Sequence, residues 1–356
     1  MNSHPRNLVG VPTRLVNNLL LINFGGPRDS SEIENFLLDL FMDPYTFDLP
    51  VPEFLRKKLA LFIAKRRAPK VASVYAALGF GGGSPLVSET FKQASALKKF
   101  LEKKSNSRWI VNVAMMCGSP NLRNLTKDEL TPSRENILLP LFPQYSRSTV
   151  LSASKIIEGL TGENPSGSKY WINPFYNNSA YLTACKNLIL DFFKGSLRGE
   201  FLNFQPNPPI ADWENITLVF SAHGIPERLI RKGDTYVREL NENVVNLTNM
   251  LRKENFHGEV FLSFQSRVGP MKWTEPNTIE LFKKLGSQGH TRIAVYPISF
   301  VSDHLETLEE IGIQLKEIAI QSGIHEYYRI PALGVYPDFI NALGDIVSDV
   351  LKKDFS

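Results

Sequence analysis

Two kinds of hydrophobic pattern alternate along the chain. Short continuous apolar runs of strand length, rich in β-branched residues, end in turn residues; longer segments follow with apolar positions three and four apart. Residues 19–24 (LLLINF) predict a buried strand, and the turn after it offers Ser30 or Ser31 as the N-cap of a helix with Ile33, Phe36, Leu37, Leu40 and Phe41 on its apolar side. Further strands are predicted at 109–120, at the start of 136–157 and at 169–178, the last followed by a helix ending at Gly195. The second half repeats the alternation, with strands at 216–222, 259–265, 291–297 and 326–330 and a last helix over 337–353. Uninterrupted apolar strands alternating with helices mark parallel sheets covered on both faces. The expectation is an α/β chain of two similar domains, each a four-stranded parallel sheet flanked by helices, with the binding cleft between them. Residues 1–18 are read as a flexible tail, 19–205 and 206–335 as the domains, and 336–356 as a terminal helix packing back on the first domain. The proline-rich stretch 202–213 is the expected linker.

Two stretches place chemistry at the carboxyl ends of strands, where open α/β sheets bind ligands. In ITLVFSAHGIPER (216–228) a strand stops at His223 and Gly224, and a helix starts after Pro226. In IAVYPISFVSDHLETLEEIG (293–312) a strand ends at Pro297 and a polar cluster, Asp303, His304 and Glu306, opens a helix. If the two strands share a sheet, His223 and Glu306 face one crevice. A lone histidine is more often structural, and Asp303 followed three residues later by Glu306 resembles a capping box, the reading spacing alone favours. Trp273, in the loop 265–273, is either a cavity wall or ordinary core.

Residues 53–70 (EFLRKKLALFIAKRRAPK) predict a basic amphipathic helix with Leu55, Leu59, Phe62 and Ile63 on one side. It suits either an anionic membrane surface or core packing with a charged outer face. Its Lys65, Arg66, Arg67 and Lys70 could grip carboxylates. Residues 71–91 predict a second helix ending in LGFGGG, with Ser84 capping the helix that begins at Pro85. The glycines permit a plain loop or one that faces a ligand. The GGP after the first strand is neither GxGxxG nor a Walker A loop, so a nucleotide site is not supported.

Composition narrows the classes. Lys+Arg 40 against Asp+Glu 36 gives a net charge of +4, too small to argue for nucleic acid. Two distant cysteines, Cys117 and Cys185, make no disulfide framework and suit a reducing compartment. No closed zinc-site spacing is present. No apolar run approaches the ~18 residues of a membrane span. The acid-free N-terminal 18 residues weakly resemble a transit peptide, although their two prolines favour a disordered tail.

Together SAHGIPER, FQSRVGP with the tryptophan after it, SDHLETLEEI, KRRAPK with GGGSPL, and FPQYSRST resemble the ferrochelatase family, in family order over about residues 19–340. The resemblance implies two flavodoxin-like, Rossmann-related chelatase domains and insertion of ferrous iron into protoporphyrin IX at the end of haem synthesis. It implies that His223 and Glu306 handle metal and pyrrole protons, with Asp303 and His304 in the same motif. Arg66, Arg67 and Lys70 fall where the family handles porphyrin propionates; Tyr75 and Ser84 line the mouth, Trp273 the wall. A lip at about 36–91 is the family's place of membrane contact. Phe24 stands where a tyrosine goes with coproporphyrin users, which favours protoporphyrin. Iron is a substrate in this reading, no cofactor is tightly bound, and with no cysteine after Cys185 an iron–sulfur cluster is not expected. A cytoplasmic monomer, peripheral to the inner membrane, completes the expectation. Coproporphyrin III chelation and a non-catalytic tetrapyrrole carrier are the alternatives.

Overall fold

The computed structural model describes residues 16–47, 51–105, 107–201, 204, 207–267 and 271–352. The elements in chain order are β1 (Val16–Gly26), α1 (Ile33–Met42), α2 (Glu53–Ala77), α3 (Leu86–Ser105), β2 (Arg108–Gly118), α4 (Lys127–Leu130), β3 (Asn136–Pro140), α5 (Ser152–Thr161) and α6 (Ser179–Phe193). The second half comprises β4 (Thr217–His223), α7 (Glu227–Arg231), α8 (Tyr236–Arg252), β5 (Val260–Gln265), α9 (Thr278–Ser287), β6 (Arg292–Pro297), α10 (Leu315–Gln321), β7 (Glu326–Arg329) and α11 (Pro337–Lys352). Two π-helical segments, Arg147–Leu151 and Glu306–Gln314, lead into α5 and α10.

Both sheets are parallel. The first has the order β2-β1-β3 and the second β5-β4-β6-β7. The expected fourth strand of the first sheet, 169–178, shrinks to a single bridge beside β3. Ile172 N–H donates to the Leu138 carbonyl and Leu138 N–H to that of Tyr170, both at 2.9 Å. Pro174 cannot donate to a ladder and follows at once, so pairing goes no further. The polypeptide nevertheless reverses direction across each sheet at its first strand, between β1 and β3 and between β4 and β6.

Three local expectations need correction. Asp29, rather than Ser30 or Ser31, caps the turn before α1, accepting from Ser31 N–H at 2.8 Å. Residues 53–70 and 71–77 form one helix with Pro69 inside it, rather than two. The strand β1 begins at Val16, so the end of the expected tail belongs to the sheet; residues 1–15 of that tail, and 202, 203, 205 and 206 of the expected linker, lie outside the described residues.

The apolar residues of the strands divide between two faces. Leu19, Leu21, Val113, Met115, Ile137 and Leu139 of the first sheet join the same buried cluster as Leu218, Phe220, Ala222, Phe264, Ala294 and Tyr296 of the second. Between them lie α3, α6, α8 and α11, through Leu97, Leu101, Leu188, Phe193, Leu240, Leu247, Phe339 and Leu343. The opposite face of the first sheet packs Leu20, Ile22, Ala114 and Leu138 against α1, α2 and α5. The opposite face of the second packs Val219, Ile293 and Val295 against α9 and α10. The molecule is therefore five layers, helix–sheet–helix–sheet–helix, and the middle helical layer is shared. The terminal helix α11 sits in that layer against α3 and α6, with Asn187 donating to Asp338 at 2.7 Å and Lys104 paired with Asp345.

A shared core makes the two sheets unfold together. Phe339→Ala should cost about 3–5 kcal/mol, and calorimetry should record one transition moving down as a whole. Two transitions, only one of them shifted, would show that the sheets are independent.

Candidate active site

The carboxyl end of β4 delivers His223, and the segment after β6 delivers His304 and Glu306, on either side of the point where strand order reverses in the second sheet. His223 Nδ1 lies 2.9 Å from Glu306 Oε2, and His304 Nε2 lies 3.8 Å from the same oxygen. Glu306 therefore faces the crevice. Asp303 turns the other way, with its carboxylate 97% buried, accepting from Arg329 Nη1 at 2.9 Å and from Ala332 N–H at 3.4 Å. The capping-box reading fails for this reason: the start of the helix is bound instead by Thr307 Oγ1, which accepts from His304 N–H at 3.0 Å. Asp303 braces the loop and does not reach the cleft with the other two.

The π-helical segment sets what else points inward. Residues four apart lie on one side of a helical turn, so Glu310 follows Glu306. Glu310 accepts from Ser266 N–H at 2.8 Å and from the Ser266 hydroxyl, holding Ser266 at φ +66° at the end of β5. Sequence reading did not single out Glu310; its four-residue spacing from Glu306 is the signal that could have found it. Trp273 packs against Gly224, where an added Cβ would come within 3.4 Å of the indole and 2.9 Å of the Gln265 carbonyl oxygen. Glycine after the histidine is thus a steric requirement.

The first half supplies an apolar wall. Phe24 and Tyr145 are partly buried against the cluster that contains Tyr75, and Leu305, next to Glu306, joins it from the second half. Tyr75 is 4% exposed and bonded to Ser84; burial raises its phenol, the Ser84 bond opposes this, and the nearby Glu306 charge adds to it. Ser84 is held by its own N–H donating to the Pro27 carbonyl at 2.6 Å, and its hydroxyl accepts from Leu86 N–H at 3.3 Å at the start of α3. The glycines before it provide close approach: a Cβ on Gly83 would meet the Arg28 carbonyl oxygen at 2.1 Å. On α2, five to nine residues before Tyr75, Lys70, Arg67 and Arg66 are exposed, and the Arg67 guanidinium lies 5.8 Å from the Phe41 ring centre. The apolar side named for α2 is divided, with Leu59 and Ile63 half-buried. Ala60 and Ala64 are fully buried, whereas Phe54, Leu55 and Phe62 are 76%, 41% and 61% exposed.

Electrostatically, His223 and Glu306 each favour the charged form of the other. Burial disfavours the imidazolium, but the Glu306 charge and hydrogen bond, with Glu310 beyond, raise His223 above its ordinary value. Burial likewise disfavours the Glu306 carboxylate, and His223, then His304, outweigh it and hold the group well below its ordinary range. The side chains remain 38% and 31% open to solvent. Among the described residues no three histidine, cysteine or acidic side chains gather as a metal cage. When the imidazole is neutral, the arrangement can take protons and offers a cation an open, partial set of donors.

A family model described as Ferrochelatase matches residues 17–351. A ferrochelatase of Leptospira borgpetersenii serovar Hardjo-bovis is 57% identical over 331 residues, covering 93% of this chain and 90% of that protein. One from Leptospira biflexa is 51% identical over 342 residues, covering 96% and 94%. One from Nostoc punctiforme is 37% identical over 346 residues, covering 94% and 82%.

The His223–Glu306 pair contributes to stability when both partners are charged. Its contribution is present above the ordinary carboxylate pKa of about 4.3 and below the ordinary histidine pKa of about 6.5. It fades as pH rises through the elevated His223 value or falls through the depressed Glu306 value. The difference in Tm between the natural protein and Glu306→Gln should therefore be largest near pH 5–6.5 and shrink towards pH 9; a difference constant over that range would refute the pairing.

Proposed function

This chain belongs to the ferrochelatase family, whose members insert a metal ion into a porphyrin, and we propose that it is a lyase inserting ferrous iron into protoporphyrin IX, the step of haem biosynthesis that yields protohaem and two protons. The observation that carries the reading is the contact of His223 with Glu306, opposite an apolar wall that includes Phe24 and Tyr75.

The chemistry follows from what such a ring requires. Each pyrrole N–H bond must break and leave its electron pair on nitrogen for the metal. A flat macrocycle hides those pairs, and a cleft that bends it exposes them at a strain of a few kcal/mol drawn from binding. An imidazole and a carboxylate at one side can accept the protons. Protonated His223 cannot bind a cation, so Glu306, by raising its pKa, sets the pH at which the imidazole becomes available. Tyr75, Ser84 and Trp273 border the ring, His304 supports Glu306, and Arg66, Arg67 and Lys70 receive the propionates as cations on one helix.

Phe24 supports protoporphyrin, since it offers the ring an apolar surface without a hydroxyl. The observation favouring coproporphyrin III is the exposure of four cations, Lys65, Arg66, Arg67 and Lys70, on one stretch of α2, enough to serve a ring with four carboxylates. The test is metal insertion followed by porphyrin fluorescence with each porphyrin and ferrous iron. Faster turnover of protoporphyrin is expected, lost by at least a hundredfold in His223→Ala while porphyrin binding persists. Preference for coproporphyrin would reassign the substrate; turnover in His223→Ala would discard the residue's role.

We further propose that the exposed Phe54, Leu55 and Phe62, set among the lysines and arginines of α2, rest on an anionic membrane surface. Among the described residues no helix is long and apolar enough to cross one. Phe54→Ser with Phe62→Ser should reduce co-sedimentation with phosphatidylglycerol vesicles several-fold and leave turnover of dissolved porphyrin unchanged. Unchanged sedimentation would remove the membrane from this reading.

A further inference from the structure

The segment after β3 carries Gln144, Tyr145, Ser146, Arg147 and Ser148. It is bound along the second half. Gln144 Nε2 donates to Asn243 Oδ1 at 2.9 Å, and Tyr145 N–H donates to Glu239 Oε2 at 2.6 Å. Asp234, 5% exposed, holds the next turn. Its Oδ2 accepts from the Ser146 hydroxyl at 3.1 Å and from Arg147 N–H at 2.8 Å. Those are the first groups of the π-helical turn that leads into α5, where unpaired N–H groups and the helix dipole favour an anion. Asp234 thus caps a helix of the other half of the molecule.

The same carboxylate reaches the active site by a short path. Asp234 Oδ1 accepts from Tyr236 N–H at 3.0 Å at the start of α8. The buried Tyr236 phenol lies beside Ser299 and the backbone of His223. Ser299 Oγ in turn accepts from His223 N–H at 3.2 Å. The links at either end are hydrogen bonds between buried or half-buried groups, and the buried Tyr236 phenol packed beside Ser299 joins them. The path begins at the turn beside Tyr145, in the apolar wall with Phe24, and ends at the backbone that aims the imidazole.

We propose that Asp234, acting through Tyr236 and Ser299, is a positioning residue for metal insertion: it fixes the separation between the His223 imidazole and the wall of the first half. The proposal rests on the reading of His223 given above. Asp234 touches neither metal nor porphyrin; it controls whether the ring nitrogens lie within reach of the imidazole once the ring is seated. Misplacement by a fraction of an ångström lowers the rate of the chemical step without loosening the ring.

The experiment compares His223→Ala, Tyr236→Phe, Asp234→Ala and the double variant of the last two, using insertion of zinc or ferrous iron into porphyrin, with Tm and porphyrin binding recorded for each. Tyr236→Phe keeps the packing and removes only the hydroxyl. It should lower kcat about tenfold and leave KM for porphyrin within twofold. Asp234→Ala should lower kcat by a similar factor. The double variant should be no slower than the slower single, because both lie on one path. Unchanged kcat in Tyr236→Phe overturns the proposal even if Asp234→Ala does not fold, and so does a double variant whose losses multiply. If His223→Ala remains active, the reading of His223 fails and this inference with it. If His223→Ala is inactive while Tyr236→Phe is normal, only this inference fails.

Discussion

The layer of helices shared by the two sheets is the constraint on which the rest depends. Each sheet has two apolar faces to cover, and one face of each is covered by the same four helices. Phe193 of α6, Leu240 of α8 and Phe339 of α11 belong to a core that neither half could complete alone. Relative movement of the sheets would open that core, at roughly 25 cal/mol per Å² of apolar surface exposed. The two sheets are therefore held at a set separation, and the His223–Glu306 pair at the end of the second keeps a fixed place relative to the first half.

Around this core the polar groups divide by task. Buried ones join the halves: Gln93 Nε2 of α3 donates to the carbonyls of Val301 and Gly334 at 3.1 and 3.0 Å, and Asp234 and Glu239 hold the turn after β3. Asp303 with Arg329 braces the loop that carries His304 and Glu306. Half-exposed groups face the crevice. Adjacent residues in one motif thus serve different ends, Asp303 inside and Glu306 outside, because the chain turns between them.

Much of this was legible in the residues. Seven of the eight predicted strands form, because uninterrupted runs such as LLLINF and ITLVF cannot be satisfied with one face in water. His223 at the end of β4 meets Glu306, with His304, from the cluster after β6, because strand order in such sheets reverses between those two strands; Asp303 of that cluster does not join them. The eighth strand fails at Pro174 beyond one bridge. The α2 pattern left membrane contact and core packing open, and space divides the named residues: Ile63 packs with Ala60 and Ala64 against the first sheet's outer cluster, while Leu55 and Phe62 stay exposed. Capping was the better account of Glu306 by spacing and the wrong one in space, since only the position of His223, 83 residues away, decides where that carboxylate bonds.

By itself, then, the sequence determined the alternation of strands and helices, the parallel class of the sheets and the residues able to do chemistry, because periodicity and turn residues act locally. Its ordered motifs also pointed to the family. The tertiary structure alone decided which carboxylates face the crevice, that Glu310 joins them on a π-turn, that the exposed face of α2 is apolar as well as basic, and that one core serves both sheets. Each of those depends on groups far apart in the chain meeting in a shared interior, and no window of residues contains that information.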